Sequence, residues 1–591
     1  MILASHTEPR RSRATRAAAL AVLVAAALPY ISTLDSYFLG DDFGLVQLFS
    51  QKSSWHVLSL FTTSWTERIY GGWYDELRPL VALSYQLDSL WGASSPFGYH
   101  LSSITFHVLN ALLVFAIARM VCGLGALASA FAGVVFAVLP VHAETVAWIS
   151  GRADSIPSAF YLASFLAYVL WRRTGDAWRY GLCVGAFFLA LFSKQSAITM
   201  LATLVLYDVV VTRRSLRPSW PVLRDYAPIA LLTTLYLLQR YALFGNFVRE
   251  RDLAANTPIV FAYMQFTHLQ IFLFGSRVIR GQYLGPLLAW MAVGSALAAA
   301  IVVGALRLAR RPAPSFLRLR MRNAWRWASD SLGRFLGDEP YSIRRLVLFF
   351  GPAWWLVSTA PLVVTYVSAR HLYLAGAGVA LTLGLGFNAL WLARQRPWRP
   401  LGALLGAGLV LICVLRLLPA VGEWNAAAAV SEKITRDVGQ VARTAPRGSL
   451  LVLGAPDQGV RGTGPTWLWG YALPFAVQPP FSQTDLSERA HIIMPPNAFC
   501  CPREMWLDHT RRAVAAWSAQ ADRPPAILLV WAASDGALVQ QSDSEQPRIR
   551  NQLVRLSAAR TPEEGCQTLI DVLNSHGGAL TCRPLSWARD Y

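Results

Sequence analysis

Apolar runs of about 17–22 residues recur from Arg16 to Ala420, each long enough to cross a bilayer core as a helix. Inside a bilayer every backbone N–H and C=O must find its partner within the segment or a closed barrel, so runs of this length read as helices. Eleven spans are expected, at 16–33, 100–121, 126–146, 155–171, 179–195, 196–212, 226–243, 286–306, 346–366, 372–393 and 400–420. The run 259–275 is also apolar but carries His268 and Gln270, and an interfacial or re-entrant helix is expected there. Hydrophobic residues make up 54% of the 591 and charged residues only 15%, which excludes an ordinary soluble domain.

The net charge of +19 does not point to nucleic acid, because the arginines sit in short connections. They cluster at Arg10, Arg11, Arg13 and Arg16; at Arg172 and Arg173; at Arg213, Arg214 and Arg217; and at Arg394, Arg396 and Arg399. The loop from Arg307 to Arg345 holds ten more. With the N-terminus inside, all of these fall on the cytoplasmic face, as the positive-inside bias requires. The basic N-terminus before an apolar core reads as an uncleaved first helix. Eleven spans put the C-terminus outside.

Two units are expected: a membrane module over 1–420 and an extracytoplasmic domain over 421–591. The second has strand-like runs at Ser449–Leu453 and Ala526–Trp531 and amphipathic helical stretches near 424–442 and 508–520, so a small α/β domain is expected. It holds Cys500, Cys501, Cys566 and Cys582, and a Cys566–Cys582 disulfide is one expectation in an oxidising compartment.

The same topology sorts the unusual polar residues onto the outer face. Asp41 and Asp42 follow the first span, and Arg78 lies further along the first outer loop. His100, His107 and Asn110 lie on nearly one face of the second helix. His142, Glu144, Arg152 and Asp154 are packed into the connection Pro140–Asp154. Lys194, one of three lysines in the chain, is in a third connection, and Arg370, His371 and Tyr373 are in a fourth. Ionisable groups at a membrane boundary are costly unless they meet water, a partner or a ligand. A carboxylate there can take the proton of an attacking hydroxyl, and cations can hold a phosphate leaving group. A glycosyltransferase that uses a polyprenyl-phosphate sugar needs both.

The ordered set of motifs resembles the GT-C glycosyltransferases, and within them the O-mannosyltransferase-like branch that often bears tetratricopeptide repeats. The residues concerned are Asp41-Asp42, Arg78-Pro-Leu80, Gly98-Tyr-His100 with His107 and Asn110, Pro140-Val-His-Ala-Glu-Thr-Val-Ala-Trp-Ile-Ser-Gly-Arg-Ala-Asp154, Ser193-Lys194 and Arg370-His-Leu-Tyr-Leu374. The resemblance covers roughly 35–420; the repeat-bearing tail of that branch is absent from it.

The resemblance implies an all-α polytopic bundle of GT-C type and an inverting transfer with Asp42 or Asp41 as general base. Glu144 and Asp154 are candidates for a second acid. Arg78, Arg152, Lys194 and Arg370 are candidate ligands of the donor phosphate, and His100, His107, His142, His371 and Tyr373 line the site. The donor is a polyprenyl-phosphate-linked sugar, and the acceptor a protein, a lipid-linked glycan or an envelope polymer. No metal or other cofactor is demanded, since cations can handle a monophosphate and the His-Ala-Glu triplet at 142–144 lacks the cysteines of a zinc deaminase. The expected location is a bacterial inner membrane with the C-terminal domain in the periplasm.

Blander roles stand beside these. Asp41 or Asp42 could cap a helix, and Asp154 could cap the next span and pair with Arg152. Lys194 could snorkel, and Trp65, Trp73, Tyr74 and Trp91 could be interfacial anchors rather than sugar platforms. The competing function is a transporter or flippase, which would place polar groups at mid-membrane in broken helices and show repeated halves.

Overall fold

The computed structural model describes residues 8–70, 75–217, 219–247, 258–275, 341–364, 368–392, 398–454, 472–487, 489–495, 503–532, 536–540 and 546–574. The span expected at 286–306, most of the arginine-rich loop, Trp73, Tyr74, Arg394, Arg396, Cys500, Cys501 and Cys582 lie outside these.

Among the described residues, the first half of the chain holds eleven α-helices: α1 (Glu8–Ala27), α2 (Asp42–Ser50), α3 (Pro79–Ser89), α4 (Pro96–Met120), α5 (Ala126–Ala137), α6 (Ala143–Ala147), α7 (Arg152–Thr174), α8 (Ala177–Leu191), α9 (Met200–Val210), α10 (Trp220–Phe244) and α11 (Pro258–Phe274). Then come α12 (Ile343–Leu348), α13 (Trp354–Thr359), α14 (Tyr373–Leu392) and α15 (Trp398–Thr444). The protein is a mostly helical polytopic membrane protein. Six helical stretches among the described residues are long and apolar enough to cross a membrane, and the pair α5 and α6, bent by 48°, would make a seventh.

Of the eleven expected spans, 286–306 lies outside the described residues, and the rest of the difference has local causes. The stretches expected at 179–195 and 196–212 are shorter helices, broken at Ser193-Lys194 where a 3-10 turn begins. The stretch 346–366 is divided into α12, a π turn over Phe349–Ala353 that contains Pro352, and α13. A proline removes a backbone donor and crowds the preceding turn, which favours such a break. The run expected at 259–275 is covered by α11 (Pro258–Phe274), whose Gln265 accepts hydrogen bonds from Trp355 Nε1 (3.1 Å) and Thr359 Oγ1 (2.9 Å).

Helix α15 has 47 residues, roughly 70 Å at 1.5 Å per residue, and runs from a membrane span into the C-terminal unit without a break. The boundary expected at 420/421 therefore falls inside a helix. After it come β1 (Ser449–Gly454), β2 (Ala490–Ile493), α16 (Arg503–Ser518), β3 (Ala526–Ala532), β4 (Ala537–Gln540), α17 (Gln546–Ala558) and α18 (Pro562–Asn574). The strands form one sheet in the order β2-β1-β3-β4, parallel except for β4. Side chains alternate across it, as strand geometry demands. Leu451, Leu453, Ile492, Ile527 and Leu529 join the apolar core that also contains the membrane helices. Leu450, Val452, Leu528 and Val530 pack with Trp506, Val514, Trp517, Leu553 and Leu569 of the covering helices.

The two ends of the bundle differ in chemistry. The end of α7 at Arg172–Arg173 meets the start of α10 and the end of α9. There Arg214 bridges the buried Asp208 (3.1 Å) and Asp225 (2.7 Å), and Tyr168 and Tyr226 each donate to Asp208 at 2.7 Å. The other end gathers Asp41, Asp42, Glu144, Asp154, Lys194, Arg370 and the C-terminal sheet.

Candidate active site at one end of the helix bundle

Asp42 opens α2, and its carboxylate is 1% exposed. Oδ2 accepts from the Leu39 N–H at 3.0 Å. Oδ1 accepts from both the backbone N–H (3.0 Å) and the hydroxyl (2.5 Å) of Ser150. Behind Ser150, the Tyr85 hydroxyl lies 3.0 Å from its Oγ and extends the chain of hydrogen bonds. Burial pushes the Asp42 carboxyl up to about 7, against the pull of the Ser150 and Leu39 donors, with the charge of Asp41 adding to the rise.

Asp41 is half-buried at the N-cap position of α2, yet its side chain makes no capping hydrogen bond. Its carbonyl accepts from the Tyr70 hydroxyl at 2.8 Å. Gly44 permits this approach: a β-carbon there would stand 2.0 Å from the Tyr70 hydroxyl oxygen.

The connection Pro140–Asp154 folds as a 3-10 turn, α6 and a second 3-10 turn over Ile149–Gly151. Gly151 lets the second turn press onto α6, because a β-carbon would lie 2.5 Å from the Glu144 carbonyl oxygen. Glu144 accepts from the Ser368 hydroxyl (2.5 Å) and the Arg370 N–H (3.3 Å), and the Arg370 guanidinium stands 3.6 Å from it. The same guanidinium lies 5.0 Å over the Trp148 ring, and Trp148 donates from Nε1 to the Leu39 carbonyl (3.3 Å). A continuous set of contacts thus joins Arg370 to the Asp42 loop.

Lys194 pairs with Asp154. Burial pushes the Lys194 amine down to about 8, partly offset by Asp154, and the positive charges of Arg78 and Arg370 push the same way as burial. A small cavity here is lined by Asp154, Ser158, Tyr161, Lys194, Ser358 and His371. Arg78 pairs with Glu76 (2.5 Å) and lies 5.3 Å over Trp65. Arg78 and Arg370 are therefore each near enough to act on Lys194, and all three act on His371. Each of the three is paired with a carboxylate, Glu76, Asp154 or Glu144, so an anion binds here by sharing or displacing one of those partners.

Other expectations meet a different arrangement. Arg152 is fully buried and stands apart from the cationic set. Its guanidinium pairs with Asp88 and donates to the Tyr99 carbonyl (2.5 Å), the Ile149 carbonyl (3.1 Å) and Ser84 Oγ (3.3 Å), so no face is left for a phosphate. Asp154 pairs with Lys194 instead of Arg152. His100 Nε2 is 2.9 Å from the Ser36 carbonyl, and His107 is held between the Tyr373 hydroxyl (2.7 Å) and the Ala137 carbonyl (3.0 Å). His142 packs on Tyr373 (4.3 Å between centroids) and Phe136 (4.5 Å). These three histidines and Tyr373 brace helices, whereas His371 lines the cavity. Trp65 is buried, and Trp91 is exposed.

Ser150, Asp88, Tyr85, Ser368 and Glu76 escaped the reading of the sequence. One signal was present: a buried arginine such as Arg152 demands a carboxylate, and the only acid between Glu76 and Glu144 is Asp88.

The chain is thus a polytopic membrane protein with a buried acid and a cationic cluster at the end that carries its C-terminal sheet. It is distantly homologous to the TMTC protein O-mannosyl-transferases. It is 30% identical over 241 residues to the protein O-mannosyl-transferase TMTC2 of Homo sapiens, covering 37% of this chain and 28% of that one. It is 26% identical over 467 residues to the protein O-mannosyl-transferase Tmtc1 of Drosophila melanogaster, covering 66% of this chain and 53% of that one. The matches span about half the length, or less, of these curated relatives. No protein-family model matches the chain. Among solved structures it is similar to the oligosaccharyltransferase AglB of Archaeoglobus fulgidus in complex with an inhibitory peptide and a dolichol-phosphate (TM-score 0.45, 11% identity, 89% of this chain and 70% of that one). It is also similar to ArnT of Cupriavidus metallidurans bound to undecaprenyl phosphate (TM-score 0.36, 17% identity, 87% and 93%).

Proposed function

We propose that the protein is a GT-C-type glycosyltransferase that moves a sugar from a polyprenyl-phosphate donor to an acceptor hydroxyl or amide. The observation that carries this reading is the meeting, at one end of the bundle, of a buried carboxyl raised to about 7 (Asp42) with a cationic set of one buried lysine and two partly buried arginines (Lys194, Arg78, Arg370). The distant homology to protein O-mannosyl-transferases supports it.

In this reading the lipid tail of the donor stays in the bilayer, and its phosphate is held by Arg78, Lys194 and Arg370. The acceptor oxygen or nitrogen attacks the anomeric carbon and gives its proton to Asp42. The bond from that carbon to the phosphate oxygen breaks, and polyprenyl phosphate leaves with the bonding pair. The cations neutralise the charge that grows on it. Attack opposite the leaving group inverts the anomeric centre. Glu144 holds Arg370 in place, and Asp154 does the same for Lys194. Half-buried Asp41 favours a second assignment in which it is the base and Asp42 holds the loop. No cofactor beyond the lipid-linked donor enters the scheme.

We place the reaction at the outer face of a bacterial inner membrane, with 1–420 as the transferase module and 421–591 as a periplasmic domain. The disulfide at Cys566, whose partner lies outside the described residues, supports an oxidising location for that domain. The test is release of free polyprenyl phosphate by purified protein in nanodiscs, given lipid-linked sugars and candidate acceptors, for wild type, Asp41→Asn and Asp42→Asn. Loss of release in one variant identifies the base. Release unaltered in both removes the reading.

A further inference from the structure

The loop that carries Asp41 and Asp42 is gripped by the C-terminal part of the chain. Phe481 places its ring 5.1 Å from Phe38 (76° between planes) and 5.1 Å from Phe43 (72°), edge-to-face on residues that flank both aspartates. Six residues earlier, Phe475 meets Tyr70 edge-on at 5.7 Å, and Tyr70 is the side chain whose hydroxyl holds the Asp41 carbonyl. Gln51, just past the end of α2, donates to the Pro479 carbonyl at 3.1 Å. The extension of α15 adds Ser431, whose hydroxyl donates to the Phe38 carbonyl at 2.8 Å, and Asn425, which meets Ser36 at 2.8 Å.

From these contacts we infer that the segment Leu473–Phe481 of the C-terminal unit is a positioning element of the catalytic loop, with Phe481 its principal residue. The inference rests on the glycosyl-transfer reading for its catalytic consequence. The physical basis is that Asp42 gains its place from backbone groups: its own N–H bonds the Leu39 carbonyl (3.0 Å), and the Leu45 N–H bonds the Asp41 carbonyl (3.1 Å). Phe38 and Phe43 bracket this turn, so a ring wedged on both fixes its tilt. Misplacing a reacting group by about 1 Å costs on the order of 100-fold in rate. In that reading the donor's phosphate is held by Arg78, Lys194 and Arg370, which lie outside the turn that Phe38 and Phe43 bracket, so the larger effect falls on kcat.

The test compares Phe481→Ala and Phe481→Tyr with wild type, and with Val554→Ala, an exposed position of the same domain, as control. Two quantities are read: kcat and donor KM for transfer, and hydrogen-exchange rates of the amides from Leu39 to Leu45. The expected result for Phe481→Ala is a fall in kcat of about 10–100-fold with donor KM within about twofold. Its loop amides exchange faster, while those of α4 and α7 do not change. Phe481→Tyr, which keeps the ring, restores both quantities. Phe481→Leu, which keeps apolar bulk but no ring edge, carries the same readouts at less risk to folding. An unchanged kcat, unchanged loop exchange or failure of the tyrosine to rescue overturns the inference. If wild type transfers no sugar from any donor, the glycosyl-transfer reading fails. The exchange readout then decides by itself whether the segment orders the loop.

Discussion

Ser150 gives its backbone N–H and its hydroxyl to the same oxygen, Oδ1 of Asp42, across 108 residues of sequence. The most recognisable motif of the chain and its best catalytic candidate are thereby one unit. Ser150→Ala removes one of the donors that hold the Asp42 carboxyl down, so its affinity for a proton rises further. The pH at which transfer reaches half its plateau is expected to move upward from about 7, with the plateau less affected. A profile that stays in place shows that Asp42 does not govern it.

The pH dependence of wild type follows from two groups. The base must be unprotonated, so activity climbs as pH rises through about 7. The phosphate site needs protonated Lys194, so activity falls as pH rises past about 8. A narrow bell is expected, and Lys194→Arg, which stays charged, should abolish its alkaline limb. A steady rise to pH 9 in wild type contradicts the role given to Lys194.

Asp42→Asn is expected to lower kcat by on the order of 10²–10⁴, with donor affinity little changed. Single-turnover release of polyprenyl phosphate measures it directly. If Asp41→Asn carries the large loss instead, the half-buried aspartate is the base.

Arg78→Gln and Arg370→Gln each remove a charged donor from the phosphate site. Charge-assisted hydrogen bonds contribute about 1.5–3 kcal/mol, so a rise in donor KM of roughly 10–100-fold is expected for each. Binding of polyprenyl phosphate alone, measured by titration, should weaken in parallel. Unaltered affinity in both variants would move the phosphate elsewhere.

Arg152 belongs to a different category of effect. Arg152→Ala leaves Asp88 buried without its partner, and breaking such a pair costs about 3–5 kcal/mol. Lower thermal stability and poor yield are expected. A conservative lysine should not rescue, because it cannot serve Asp88, the Tyr99 carbonyl and the Ile149 carbonyl together. Wild-type stability with a raised donor KM would return Arg152 to the phosphate site.

Much of this arrangement was legible in the sequence, and for a definite reason. Charged residues within apolar surroundings stand out, so Glu144, Asp154, Lys194 and Arg370 could be picked before any contact was known. Their partners could not. Asp154 and Lys194 are 40 residues apart and Arg152 and Asp88 are 64 apart, and no periodicity says which helix end faces which. Strands β1 and β3 were visible as apolar runs, and residues 424–442 read as helical. That this helix continues a membrane span was hidden, because the span and the amphipathic stretch each looked complete. Phe481 was invisible for the opposite reason: an aromatic in a Pro-rich link carries no mark of what it touches.

Helix α15 has a consequence for how such chains can be recombined. The part of α15 beyond Pro419 converts length into phase, since each residue added advances the far end by about 1.5 Å and turns it by about 100°. One residue inserted between Trp424 and Thr444 would swing Phe475 and Phe481 away from the loop they grip. A foreign tail must therefore keep the residue count of the helix up to Thr444, ahead of the turn at Gly448 with φ at 78°, and must still supply the grip made by Phe475 and Phe481.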